Sequence, residues 1–422
     1  MIEIIPKSIN KCEISVPGSK SYTHRLLIAS ALSDGVCGLR NCLRSEDTIL
    51  TLEALRKMGV RIDDARAEIT VYGTKGALDA CNEPIFLGNS GTSMRLLTGV
   101  AALGRGEYIL TGSSRMCERP IGDLLDGLKN LGVTAGSLNK NGCPPVLING
   151  GKIKGGSIGL KCGLSSQFLS SILLIAPYTG NGVEIKVVEG PVSKPYIDMT
   201  VDIMAKFGIH VKRSGYEKYF VEGGGCYRAG SHTVEPDCSQ AGYFWAVAAV
   251  TGSVIKVKDI TKDSRQGDLR ITELLGRMGC EISFESDGIS VRGGSLACIE
   301  ADMSDMPDMV PTIAVVASFA KGTTLIKNVG HLKAKESDRL SAVVNELSKT
   351  GIDAECSETD LMIKGGTPHG AVIDTYNDHR IAMSFAVAGL RTPGIFIKDE
   401  KCVEKSFPDF WNVLDTLGRK TG

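Results

Sequence analysis

The chain has no surplus of charge: 48 lysines and arginines stand against 48 aspartates and glutamates. No global field therefore draws it to nucleic acid or a membrane surface, and any cationic site must be local. Its 13 cysteines form no CxxC pair and no Cys/His cluster at zinc spacing, which points to reduced thiols rather than a disulfide framework. The six histidines include no HExxH, so no transition-metal site is expected. Even the long apolar runs, such as FLSSILLIAPY (168–178), fall short of bilayer length. The opening MIEIIPKSINKCEISV alternates like a strand and lacks a signal-peptide profile. These absences lead us to expect a soluble, cytoplasmic protein, and 422 residues leave room for two or more domains.

One stretch looks like a nucleotide-binding loop and is not one. In VPGSKSYTHRLL (16–27), GSKS resembles the tail of a phosphate-binding P-loop. That loop needs Gly directly before the Lys and another five residues earlier, and these positions are Ser19 and Ile14. Lys20, Ser21, His24 and Arg25 must serve another anion.

Self-similarity sets the architecture. LRKMGVRI, LKNLGVTA, MAKFGIHV, LGRMGCEI, LSKTGIDA and LDTLGRK each read as a helix stopped by glycine, at 59, 132, 208, 279, 351 and 418. The glycines stand roughly 70 residues apart, beyond the usual solenoid period of about 20–50. Each is the expected left-handed stop before a strand. Every unit reads helix–strand–helix–strand–strand, the first helix apolar (HRLLIASAL, MRLLTGVAAL, YFWAVAAV) and packed behind a sheet. Three units per lobe give two lobes of ordinary domain size, with a crossing near CYRAGSHTVEPDCSQ (226–240).

Both helices of each unit begin with capping residues: GSKSYTHR, GNSGTSMR, LSSQF, CSQAG, MPDMV and NDHR, then RSEDT, ERPIGD, SKPYID, SRQGD, AKESDR and EKSFPD. Any single Ser, Asp or Asn there is explained as a cap. Cations in a first turn oppose the helix dipole and call for a compensating anion. Lys20, Arg25, Arg95, Arg119, Lys194, Lys335, Arg339, Arg380 and Lys405 recur in or near such turns. Together they suggest a site for a highly anionic ligand.

In chain order, VPGSKSYTHR, LGNSGTSMR, RMCERPIGDLLDGL, LSSQF, VSKPYIDMT, AKESDRL, TYNDHRIAM and KSFPDF resemble the signature segments of the 5-enolpyruvylshikimate-3-phosphate synthase family. The resemblance implies a two-lobed inside-out α/β barrel of six such units. One lobe would comprise 20–230 and the other 1–19 plus 231–422, with the active site in the cleft between them. It implies transfer of the enolpyruvyl group of phosphoenolpyruvate to the 5-hydroxyl of shikimate 3-phosphate, with no metal or organic cofactor, in a monomer. The family pattern places Lys20, Ser21, Arg25, Ser165, Ser166, Gln167, Ser193, Tyr196, Asp308, His331 and Lys335 on shikimate 3-phosphate. It places Lys20, Asn89, Gly91, Arg119, Gln167, Arg339, Arg380 and Lys405 on phosphoenolpyruvate. Gly91 would let the backbone approach the ligand closely. The reaction needs general acid–base work twice: Asp308 is assigned as base at the hydroxyl, Glu336 as acid/base at carbon, and Lys20 and Lys405 as assisting cations. His331 stands where that family commonly has a polar residue such as Asn.

Two alternatives compete with this reading. The sister enzyme acting on UDP-N-acetylglucosamine shares the fold, but it carries Lys-Asn where this chain has Lys20-Ser21. It also usually carries a reactive Cys where this chain has Ser114, and it lacks the Ser165–Gln167 cradle. A non-catalytic anion-binding paralogue would be free to lose a carboxylate, whereas both Asp308 and Glu336 are present.

Overall fold

A computed structural model describes residues 1–418. Its twelve α-helices are α1 Lys20–Leu32, α2 Glu46–Lys57, α3 Gly91–Ala101, α4 Gly122–Asn130, α5 Gln167–Ile175, α6 Pro195–Lys206, α7 Cys238–Thr251, α8 Ile271–Arg277, α9 Val310–Ala317, α10 Arg339–Lys349, α11 His379–Gly389 and α12 Phe410–Thr416. The chain divides into two compact units, Gly18–Val234 and Met1–Pro17 together with the residues from Glu235 onward. Each has its own hydrophobic core. Among the described residues no helix is long and apolar enough to cross a membrane.

Odd- and even-numbered helices do different work. Helices such as α3, α7 and α9 are buried along almost their whole length, as apolar residues on every face require. Helices such as α4 and α10 bury one stripe and expose the rest. The six glycines that follow the even-numbered helices all have left-handed φ, between 79° and 107°, a conformation that glycine takes without steric cost. Gly418 is the last described residue, and Arg419 and Lys420 of LDTLGRK lie outside the described residues.

Six small mixed sheets back the buried helices. Each contains one parallel pair. In the Gly18–Val234 unit these are Ser231–Thr233 with Val36–Arg40, Ile85–Phe86 with Gly106–Thr111, and Gly156–Lys161 with Val183–Glu189. In the other unit they are Lys11–Ile14 with Val254–Lys258, Glu300–Asp302 with Thr323–Lys327, and Ala371–Ile373 with Ile395–Ile397. Two antiparallel strands extend five of the pairs, and Ile2–Ile4 alone extends the sixth. Alternation fixes the register: buried Tyr108 and Leu110 lie opposite buried Ile148 and Val146.

The element order corrects one expectation. Between α2 and α3 the chain makes three strands, Arg61–Asp63, Ile69–Tyr72 and Ile85–Phe86, where the sequence pattern gave two. The extra strand does not join the sheet of the two before it; it leads the next sheet as its parallel member. At two residues, Ile85–Phe86 is too short to display a period of two. Through these leading strands each unit closes on itself. Ser231–Thr233, late in its unit, pairs with the strand after α1, while Lys11–Ile14 pairs with the strand after α7.

Close helix packing depends on small residues. Gly99 of α3 lies against α5, where a Cβ would fall 2.9 Å from the Ser171 carbonyl oxygen. Ser171 Oγ donates to the Arg95 carbonyl at 2.8 Å. In the other unit Thr312 of α9 and Ser384 of α11, both fully buried, share a 3.0 Å hydrogen bond. Gly99→Val should destabilise the protein by about 1–3 kcal/mol through overpacking, read as a lower urea midpoint. An unchanged midpoint would show that the α3–α5 contact is not tight.

Candidate active site

In the Gly18–Val234 unit, hydroxyl groups tie three helix starts together. His24 Nδ1 meets Thr51 Oγ1 at 2.8 Å, Thr51 Oγ1 meets Ser93 Oγ at 2.8 Å, and Ser93 Oγ meets the cap residue Ser90 at 2.6 Å. Ser93 Oγ also donates to the Asp47 carbonyl. This chain of small polar groups brings the first turns of α1, α2 and α3 together. Lys20 Nζ donates to Asp47 Oδ2 at 3.0 Å, and both side chains are nearly buried.

Arg25 is 1% exposed. Its Nε donates to Thr200 Oγ1 at 2.7 Å, Nη1 to the Ser21 carbonyl, and Nη2 to Ser170 Oγ and the Tyr196 carbonyl. The guanidinium thus sits where α1, α5 and α6 meet, among neutral oxygens. Burial pushes its pKa down to about 10, with Tyr196 and Tyr22 partly offsetting the fall. Ser193, just ahead of α6, has a left-handed φ of 55°.

A second cluster forms at the starts of α3 and α5. Arg119 Nη1 donates to the carbonyl and the side-chain Oδ1 of Asn89, at 3.0 and 3.1 Å. Arg95 Nη1 reaches the Gly91 carbonyl and Gln167 Oε1, and Gln167 Nε2 donates to Thr92 Oγ1 at 2.9 Å. Ser165 Oγ accepts from the Gln167 amide, and Ser166 precedes the helix as a buried residue. A Cβ on Gly91 would collide with both guanidinium groups, 2.5 Å from Arg119 Nη2. Any larger residue here would force the ends of two buried arginine side chains to shift.

The unit that includes Glu235 onward holds the carboxylates. Arg339, at the start of α10, is 1% exposed and contacts three of them: Nε to Asp378 Oδ2, Nη1 to Asp308 Oδ1 and Nη2 to Glu336 Oε2, each at 2.8 Å. Arg380 Nη2 takes the other Asp308 oxygen at 2.7 Å, and Nη1 donates to the Tyr243 hydroxyl. Burial opposes the charge of Arg339, but Asp378, Glu336 and Asp308 outweigh it and raise its pKa. Asp378 caps α11 through the Arg380 amide. Lys405 is buried at the end of the 3-10 turn Glu400–Lys405, and Lys335 follows the turn Gly330–Ala334.

The expected site residues therefore fall into two sets. Lys20, Ser21, Arg25, Asn89, Gly91, Arg119, Ser165, Ser166, Gln167, Ser193 and Tyr196 belong to one unit; Asp308, His331, Lys335, Glu336, Arg339, Arg380 and Lys405 belong to the other. Several hydrogen-bond partners of these residues escaped the sequence reading. Asp47 and Asp378 were visible only as caps in RSEDT and NDHR, and Thr200 and Tyr243 carried no signal. Ser170 had a weak one, a hydroxyl inside the apolar run of α5. Asp268 accepts a short hydrogen bond from Ser239; burial first, and then Asp308, push its pKa up to about 7.

His331 is buried, and its Nε2 finds no hydrogen-bond partner among the described residues. Burial, helped by Lys335 and Arg339 and opposed by Asp308, lowers its pKa to about 3. Between that value and the ordinary 6.5 the unfolded chain binds the extra proton and the folded one does not. Stability must therefore fall as pH drops through this window. Between pH 7.5 and pH 5 the wild type should lose about 2 kcal/mol more than His331→Gln, measured by urea unfolding. Parallel pH dependences would show that His331 is not held neutral.

Comparison with known proteins agrees along the whole length. The family model for EPSP synthase (3-phosphoshikimate 1-carboxyvinyltransferase) matches residues 6–414. The 3-phosphoshikimate 1-carboxyvinyltransferase of Methanoculleus marisnigri is 44% identical over 94% of this chain and 94% of its own. That of Syntrophobacter fumaroxidans is 42% identical over 98% and 99%. Among solved structures, EPSP synthase from Acinetobacter baumannii superposes with a TM-score of 0.83 at 30% identity, covering 99% of this chain and 98% of that one. With buried arginines facing neutral oxygens in one unit and carboxylates in the other, and this match from end to end, the chain belongs to the EPSP synthase (3-phosphoshikimate 1-carboxyvinyltransferase) family.

Proposed function

We propose that this chain transfers the enolpyruvyl group of phosphoenolpyruvate to the 5-hydroxyl of shikimate 3-phosphate and releases phosphate. The observation that carries the reading is Arg25. It is a fully buried cation whose hydrogen-bond partners are two hydroxyls and two carbonyls. A buried charge held by neutral dipoles favours an anion strongly, and a phosphate monoester supplies several acceptor oxygens. Ser21, Ser165, Ser166, Ser193 and Tyr196, from the same unit, complete the cradle for shikimate 3-phosphate in this reading.

Arg119, with Asn89 and Gly91, takes the phosphoenolpyruvate side together with Arg339, Arg380 and Lys405. The six sheets with their helices read as six copies of one unit in a two-lobed inside-out barrel. In the addition step the 5-hydroxyl oxygen bonds to C2 of phosphoenolpyruvate. Asp308 accepts the hydroxyl proton, and Glu336 delivers a proton to C3, which becomes a methyl. In the elimination step the C2–O bond to phosphate breaks, Glu336 takes back a methyl proton, and phosphate departs with the proton that Asp308 had accepted, which returns both carboxyl groups to their starting states. Lys20 and Lys405 steady the charge on the moving groups. Arg339 holds Asp308 and Glu336 in fixed orientation throughout, so neither carboxylate has to reorganise during the reaction.

Phosphate release should occur with shikimate 3-phosphate as acceptor and not with UDP-N-acetylglucosamine. Release with the second acceptor alone would overturn the assignment. Arg25→Lys should raise KM for shikimate 3-phosphate by about tenfold or more, because a point charge cannot replace a planar fork, and should leave KM for phosphoenolpyruvate nearly unchanged. Asp308→Asn should lower kcat by about 100-fold or more. An active Asp308→Asn enzyme would remove Asp308 from the proton inventory.

A further inference from the structure

The segment ahead of α11 contains a backbone conformation that its own residues do not favour. Tyr376 and Asn377 both take left-handed φ, 55° and 53°, and the Asp378 amide closes the turn on the Thr375 carbonyl at 2.8 Å. Two successive left-handed residues make the pattern of a type I′ turn, which glycine, asparagine and aspartate usually supply. Asparagine tolerates it, whereas a tyrosine there is strained. Packing does not account for the choice, because the Tyr376 side chain is 42% exposed. Its hydroxyl accounts for it, donating to Glu346 Oε1 at 2.7 Å.

Glu346 is fully buried on α10. Besides Tyr376 it accepts from the Asp374 amide at 3.0 Å and from Lys349 Nζ at 2.8 Å. One carboxylate therefore grips Asp374 and Tyr376 on the approach to the strained turn. Arg339 lies two turns earlier on the same face of α10, and it grips Asp378 just beyond that turn. Helix α10 clamps the segment 374–378 at both ends.

We infer that Tyr376 and Glu346 are positioning residues for the reaction: their hydrogen bond holds the left-handed turn that delivers Asp378 to Arg339. Asp378 accepts from Arg339 Nε and Nη2, from Ser337 Oγ and from the Arg380 amide. A turn that relaxed would let Asp378 withdraw. Arg339 would then be steadied only by Asp308 and Glu336, the two carboxylates whose orientation it sets. The inference rests on the assignment of Asp308, Glu336 and Arg339 to the reacting substrates.

Three variants test it in steady-state assays with both substrates. Tyr376→Phe keeps the strain and loses the anchor, so kcat/KM for phosphoenolpyruvate should fall about tenfold. KM for shikimate 3-phosphate should change less than that for phosphoenolpyruvate, since Arg25 and the serines beside it belong to the other unit. Tyr376→Gly loses the anchor and the strain together and should keep most of the wild-type kcat/KM. A purely structural tyrosine would give the opposite order, glycine worse than phenylalanine, and that result overturns the inference, as does a Tyr376→Phe enzyme with wild-type constants. Asp308→Asn separates the two claims. If it is inactive while Tyr376→Phe is normal, only the inference fails; if it is fully active, the site assignment fails.

Discussion

Moving a guanidinium out of water costs several kcal/mol unless each of its N–H groups finds an acceptor. This protein buries Arg25, Arg339 and Arg380, each about 1% exposed, and finds acceptors for their donors except Arg380 Nε, which has no hydrogen-bond partner among the described residues. The surrounding polar architecture follows from how those donors are satisfied. Arg339 spends its donors on Asp308, Glu336 and Asp378, and Arg380 completes the ring through Asp308 and Tyr243. This set, two guanidinium groups against three carboxylates, is stiff, because each carboxylate oxygen it uses is fixed by a planar donor. Arg25 meets hydroxyls and carbonyls instead, and burial lowers its pKa against the opposing influence of Tyr196 and Tyr22. The two units therefore satisfy buried guanidinium groups differently: one surrounds them with carboxylates, and the other offers Arg25 only hydroxyls and carbonyls.

This distinction revises the simplest argument from helix dipoles. Cations in first turns oppose the dipole and require an anion, but part of that anion belongs to the protein. Asp47 answers Lys20, and Asp308 answers both Arg339 and Arg380. The caps also do two jobs at once. Asp378 accepts from the Arg380 amide as an ordinary N-cap and also orients a guanidinium from another helix. A residue fully explained as a cap can thus still fix a buried guanidinium on another helix.

The connectivity explains how short local patterns yield such convergence. Each leading strand joins the next sheet along the chain; in the Gly18–Val234 unit the last one, Ser231–Thr233, returns to the first sheet, and in the other unit Lys11–Ile14 completes the first sheet instead. The start of the chain supplies Ile2–Ile4 and Lys11–Ile14 to sheets otherwise built from residues beyond Glu235. Closure of this kind pins three buried helices against one another, and small groups at their contacts, such as Gly99 against Ser171, keep them close.

Local chemistry was enough to read the period of about 70 residues, the glycine stops, the buried first helices and the cationic character of the helix starts. Each of these depends on neighbours in the chain: a left-handed stop needs only glycine, and a fully apolar helix must be buried wherever it packs. The strand Ile85–Phe86 was not legible, because it acquires its identity from a partner 25 residues further along the chain. Nor did the sequence show that Gly91 makes room for Arg95 and Arg119, that Asp47 pairs with Lys20, or that Thr200 and Tyr243 receive buried guanidinium groups. Composition and periodicity decided which residues are charged and which helices are buried. Only the folded chain decided which charges meet, because an ion pair is a property of a distance and most of these distances join residues far apart in sequence.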